Sequence, residues 1–139
     1  MPGKKSGIKL HIGVDILGLP HAIHITTANV GDREGAISMI DFYCNIGNDF
    51  SMLKKVLADG GYSGEAFANK IVSLCGAEVE IVKRNESSSF VVIPKRWILE
   101  RSFGWLDKYR RLWKNCEHKL QNSFHMVTLA FVRLLLRRC

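Results

Sequence analysis

Apolar and polar residues alternate through Lys9-Leu10-His11-Ile12-Gly13-Val14-Asp15, the period of a strand, and the stretch carries strand-forming residues. Leu17-Gly18-Leu19-Pro20 has turn chemistry, and His21–Thr27 reads as a second strand, so the pair is predicted to form a hairpin. Asn29-Val30-Gly31-Asp32 then reads as a loop whose Asp32 can N-cap a helix, with Ile37, Ile40 and Ile46 as its buried positions. A third strand is expected at Leu53–Ala58, broken by Asp59-Gly60-Gly61-Tyr62. Ser63 is the expected N-cap of a helix that ends near Leu74 or Cys75, where Gly76 stops it. Glu78–Lys83 alternates as a fourth strand, and Arg84–Ser89 is a polar loop.

Beyond that loop the period changes to that of helices. Pro94 suits a helix start. Trp97, Leu99, Phe103, Leu106, Tyr109 and Leu112 are the apolar positions of a long basic amphipathic segment reaching about Trp113. A last helix, Ser123 to about Arg137, is apolar enough to be buried or to meet a partner. No repeat or low-complexity tract interrupts the chain. A hairpin followed by strand–helix–strand–helix predicts one α/β domain with a mixed sheet and flanking helices.

Composition narrows the class. The 139 residues are 47% hydrophobic and 24% charged, values of a globular chain with a core rather than a disordered tail or a fibre. No apolar run approaches the roughly 18 residues of a membrane span, and the basic start leads into no signal core, so a cytoplasmic setting is expected. Cys44, Cys75, Cys116 and Cys139 contain no paired motif, and reduced thiols are the expectation. The five histidines lack metal-ligand spacing, with His11 and His24 expected on the solvated face of their strands. Charge is more telling. The chain carries +7 overall, but residues 83–139 hold 13 basic and 4 acidic residues, while residues 1–82 hold 7 and 9. A positive field confined to one part suggests a polyanion, most commonly nucleic acid; a solvated basic helix face is the plainer alternative.

Two acidic residues stand out by position. Asp59 ends a strand and precedes two glycines, which permit close approach to the backbone, and ligands of open α/β sheets gather at carboxyl strand ends. Glu100 lies among basic and aromatic residues on a helix. Carboxylates in a basic groove suit divalent-metal phosphoryl transfer, because a hard cation wants oxygen ligands. An ordinary Asp-Gly-Gly turn and a Glu100 paired with Arg96 or Arg101 explain the same residues without a site.

The chain resembles the C-terminal portion of DDE transposases of the bacterial insertion-sequence-five family. The likeness runs through Gly3-Lys4-Lys5, Lys9–Ile12, Val14-Asp15, Leu17-Gly18, Asn29-Val30-Gly31-Asp32-Arg33 and Ala58-Asp59-Gly60-Gly61-Tyr62. It is most specific in Pro94-Lys95-Arg96-Trp97-Ile98-Leu99-Glu100-Arg101-Ser102-Phe103-Gly104-Trp105-Leu106, followed by Arg110-Arg111-Leu112. The resemblance implies an RNase H-like fold and a triad of two aspartates and a glutamate holding Mg²⁺ or Mn²⁺. Asp59 matches the second aspartate, Glu100 the glutamate, and Arg96 the arginine of the family's tyrosine–arginine–glutamate–lysine signature. Ile93 and Asp107 stand where that signature has its tyrosine and lysine, with Lys108 displaced by one residue. Lys95, Arg96, Arg101, Arg110 and Arg111 are the implied phosphate contacts, which position DNA without reading its sequence. Trp97 and Trp105 are assigned to packing at helical spacing, with base stacking as the other reading.

The family's first aspartate lies on a central strand upstream of the segment with which this chain opens. Residues 1–139 are therefore expected to be a partial catalytic domain lacking that strand, with a basic helical part at 94–139. Asp15 is the one candidate to replace the missing ligand. It emerges at the wrong sheet end if 9–15 is a hairpin strand, and at the right end if 9–15 has become central. The expected function is metal-dependent DNA strand cleavage and joining at insertion-sequence ends. The expected partners are DNA and a second copy or the product of an upstream reading frame. The rival is an inactive DNA-binding, assembly or inhibitor module, and a decayed remnant stands behind both.

Overall fold

The structure, a computed structural model, describes residues 7–82, 96–108 and 119–137, the side chains of Arg96, Trp97 and Asp107 excepted. In chain order the elements are β1 (Ile8–Val14), β2 (Pro20–Thr27), α1 (Asp32–Asn45), β3 (Lys55–Asp59), a 3-10 turn at Gly60–Tyr62, α2 (Glu65–Cys75), β4 (Glu78–Val82), α3 (Arg96–Asp107) and α4 (Leu120–Leu136). They form two compact units: β1, β2, α3 and α4 in the first, and α1, β3, the 3-10 turn, α2 and β4 in the second. The result is mixed α/β with small sheets and flanking helices. Among the described residues each unit holds its own two-stranded sheet, where the strand pattern alone suggested one mixed sheet.

In the first unit β1 and β2 pair antiparallel, with Leu10 opposite Ile25 and Ile12 opposite Ile23. Because side chains alternate along a strand, that register gathers the aliphatic residues on one face. Val127, Ala130 and Phe131 of α4 and Leu106 of α3 close over it, and Ile8, Leu10, Ile12 and Phe124 pack around the cluster. The opposite face of the hairpin corrects an expectation. His11 is buried rather than solvated. Its Nε2 lies 3.0 Å from Thr26 Oγ1, so burial leaves that nitrogen partnered. His24, opposite His11, is half-buried, and burial lowers its pKa.

The face of α3 that turns inward agrees with the expected one at Leu106 and departs from it at Leu99 and Phe103. Ile98, Ser102 and Leu106, at successive four-residue steps, are buried, whereas Leu99 and Phe103 are 36% and 39% exposed. Ser102 breaks the apolar pattern yet is fully buried, because its hydroxyl reaches Gly18 O at 2.8 Å and Ile98 O at 3.0 Å. The expectations at Pro94, Tyr109, Leu112 and Trp113 lie outside the described residues.

In the second unit β3 and β4 run parallel, with Ala58 beside Ile81 and Asp59 beside Val82. Their connection is α2, packed through Phe67 and Ile71, and Met39 and Gly35 are the buried positions of α1. Ile37 and Ile40 are half-buried, but Ile46 is 58% exposed because α1 has already ended at Asn45. Both expected N-caps shift. Gly31 caps α1 and Asp32 is its first helical residue; Gly64 caps α2, and Ser63 instead closes the 3-10 turn. Gly64 has φ +130°, a conformation that serine adopts only under strain. Gly76 ends α2 in the left-handed conformation, as the sequence predicts.

Candidate functional site

Asp59 is the last residue of β3 and lies exposed at its carboxyl end. Its Oδ1 accepts a hydrogen bond from the Gly61 N–H at 3.0 Å, so the carboxylate caps the 3-10 turn that follows it. A Cβ at Gly61 would lie 3.1 Å from that same oxygen, which explains a glycine there. On the other side, the Gly61 carbonyl accepts from Arg33 Nε at 2.9 Å. Asp32-Arg33 at the start of α1 thus meets Asp59-Gly60-Gly61-Tyr62 across 28 positions of sequence. Tyr62 is half-buried with its ring 5.5 Å from Phe67. Burial, followed by the negative charges of Asp32 and Asp59, raises the pKa of its phenol. Both carboxylates therefore act on one small region around the turn.

Glu100 lies in the first unit, exposed on α3. The two residues after it fix the rotation of that helix. Arg101 donates through Nη2 to the Leu17 carbonyl, and its guanidinium lies 4.9 Å from the Trp105 ring centroid. Ser102 donates to Gly18 O. Gly18, with φ +80°, lies so close that a Cβ would meet Arg101 Nη2 at 3.0 Å and Ser102 Oγ at 3.2 Å. Trp105 is half-buried and carries the Arg101 contact.

Asp15 belongs to the same turn. Its Oδ1 accepts from Leu17 N at 2.8 Å and Leu19 N at 3.0 Å, and its Oδ2 lies 3.0 Å from His21 Nε2. Partial burial raises its pKa, but the hydrogen bonds from His21, Leu19 and Leu17 and the His21 charge outweigh that and leave it lowered. β1 pairs antiparallel with β2, the hairpin arrangement, and the Asp15 carboxylate is engaged in closing it.

Asp59 and Glu100 offer carboxylate oxygens, the hard donors that Mg²⁺ or Mn²⁺ accepts, and both are exposed enough to reach a hydrated ion. The donor chemistry fits such a cation. Within neither unit do three or more His, Cys, Asp or Glu side chains of the described residues gather to hold a metal. The expectations at Lys95, Arg110 and Arg111, and at the Arg96 side chain, lie outside the described residues. Arg33 is the residue that sequence reasoning missed. Its only signal was its place in the Asn29–Arg33 motif, since nothing local ties it to Gly61.

A family model described as "Transposase DDE domain" matches residues 2–135. A protein of Burkholderia cepacia named "Putative transposase for insertion sequence element IS402" is 33% identical over 112 residues, 78% of this chain and 53% of the relative. One of Brucella ovis named "Putative transposase for insertion sequence element IS6501" is 31% identical over 134 residues, 93% of this chain and 98% of the relative. The chain thus spans about half the length of the first and nearly all of the second. No solved structure matches it. No helix among the described residues is long and apolar enough to cross a membrane.

Proposed function

The chain belongs to the transposase DDE domain family, and from that premise we propose that it acts in metal-dependent cleavage and joining of DNA strands at insertion-sequence ends. The observation that carries the reading is the Asp59 carboxylate, exposed at the carboxyl end of β3 and held by the Gly61 N–H. Asp59 and Glu100 would hold Mg²⁺ or Mn²⁺. When bound, the ion supplies positive charge for the oxygens of the phosphodiester under attack. The protein's own part is orientation: the 3-10 turn fixes Asp59, and the contacts of Arg101 and Ser102 with the hairpin turn set the rotation of the helix bearing Glu100.

The finer fold reading, an RNase H-like domain, rests on the mixed α/β content with small sheets and flanking helices. Lys95, Arg96, Arg101, Arg110 and Arg111 are the phosphate contacts of this proposal, and the partners are the element's terminal repeats, target DNA and further copies of the chain. Its place is the bacterial cytoplasm, on the nucleoid when DNA-bound.

The test incubates the chain and its Asp59→Asn and Glu100→Gln variants with Mg²⁺ or Mn²⁺ and duplexes carrying the ends of its own element. The chain by itself is expected to cleave little; whatever cleavage it supports, alone or with the product of an upstream reading frame added, both substitutions are expected to abolish while sparing DNA binding. Cleavage that survives Asp59→Asn would overturn the assignment, and DNA binding with no cleavage by the parent chain, even with that product added, would favour the non-catalytic module.

A further inference from the structure

We propose that Arg33 is a positioning residue for the Asp59 carboxylate, acting through Gly61; the inference rests on the reading of Asp59 as a metal ligand. Two hydrogen bonds in series carry it. Arg33 Nε donates to the Gly61 carbonyl at 2.9 Å, and the Gly61 N–H donates to Asp59 Oδ1 at 3.0 Å. Gly60 and Gly61 are the most flexible pair of residues a turn can contain, and both are exposed. An unrestrained Gly-Gly segment would let the N–H that orients Asp59 wander among many backbone conformations. Arg33, rooted in the first turn of α1, ties the segment to a regular element. Its guanidinium also runs beside Gly64, where a Cβ would sit 3.8 Å from Nη1. A carboxylate fixed by one oxygen presents the other in a defined direction, and such orienting partners tune metal affinity.

A charged arginine beside a strand end has an obvious competing use, which is to contact a DNA phosphate. The geometry separates the two roles, because the bond to Gly61 uses Nε, four atoms along from Cα. Glutamine places an N–H donor at the same distance without the charge. Lysine keeps the charge but carries its nitrogen one bond further, and methionine has neither donor nor charge.

The test measures Mn²⁺ affinity of the full chain by electron paramagnetic resonance of the free ion. It compares the parent with Asp59→Asn, Arg33→Met, Arg33→Gln and Arg33→Lys, each with a thermal melt. Asp59→Asn should remove the site, Arg33→Met should weaken it about tenfold, and Arg33→Gln should restore an affinity close to the parent's. Since the Arg33 bond is exposed, the melting midpoints should stay near that of the parent. Should Arg33→Met melt early, Arg33→Lys carries the same test and is expected to bind as weakly. Parent-like affinity in Arg33→Met beside a defective Asp59→Asn would overturn the positioning role and leave Asp59 as a ligand. Equal defects in Arg33→Gln and Arg33→Met would assign Arg33's effect to its charge and overturn the proposal. Unchanged affinity in Asp59→Asn would remove the metal-ligand reading and this inference with it.

Discussion

At the scale of single residues, the hairpin turn shows how much depends on two positions. Gly18 combines φ +80° with an approach that puts a would-be Cβ 3.0 Å from Arg101 Nη2. Gly18→Ala should cost about 1–2 kcal/mol for the left-handed backbone alone, more once Arg101 is displaced, read as a loss of unfolding free energy in urea. Titration gives a second check. The pKa of Asp15 is lowered below 3.8 in the folded chain, so its stabilising contribution is full above that pH and is lost as pH falls through the folded value. Burial holds His24 below 6.5, so the unfolded chain takes up that proton first and stability declines as pH drops under 6.5. Melting midpoints measured against pH should therefore fall in both ranges. Asp15→Asn should flatten the lower range and His24→Gln the upper one. The position of Asp59 at the end of a strand was legible because an apolar run followed by two glycines is a local pattern. The roles of Asp15 and Arg33 were not, since the one depends on how the turn closes and the other on a partner 28 residues away.

At the scale of elements, alternation at 9–15 and 78–83 and the turn, cap and stop residues between elements located the four described strands and the helices between them to within a few residues. Part of the inward face of α3 escaped, for a physical reason. A buried serine is counted as polar by any hydrophobic pattern, and its burial is made tolerable by the Ile98 carbonyl one turn back and the Gly18 carbonyl 84 positions away. The helix caps escaped similarly, since Gly31 and Gly64 cap by backbone conformation with no side-chain hydrogen bond to betray them. Ser102→Ala should leave the Gly18 carbonyl without this donor and cost about 1–3 kcal/mol. The two faces of α4 should respond very differently. Phe131 is 2% exposed within the core and Leu129 is 61% exposed, so Phe131→Ala should cost about 3–5 kcal/mol and Leu129→Ala only a few tenths. Equal losses from the two would mean that the outer face of α4 is covered in solution.

At the scale of the whole molecule, the dominant feature is charge segregation: residues 83–139 carry +9 and residues 1–82 carry −2. A core does not require such a division, whereas a polyanion ligand rewards it through release of condensed counterions. Binding to duplex DNA of mixed sequence should therefore weaken linearly in log–log form with salt, at a slope of about −0.9 per phosphate neutralised. The basic residues are not equivalent in this respect. Arg101 holds the Leu17 carbonyl and lies over Trp105, so its side chain serves the fold whatever it does for DNA. Arg101→Glu should lower the melting midpoint as well as the affinity. Arg110→Glu with Arg111→Glu should weaken binding alike on every duplex and reduce the slope by about 1.8 if each contacts one phosphate. Fluorescence anisotropy at several salt concentrations, with a melt of each variant, measures both effects. A slope that ignores the paired reversal would place the polyanion contact elsewhere in the basic segment, and binding indifferent to salt would remove the electrostatic argument altogether.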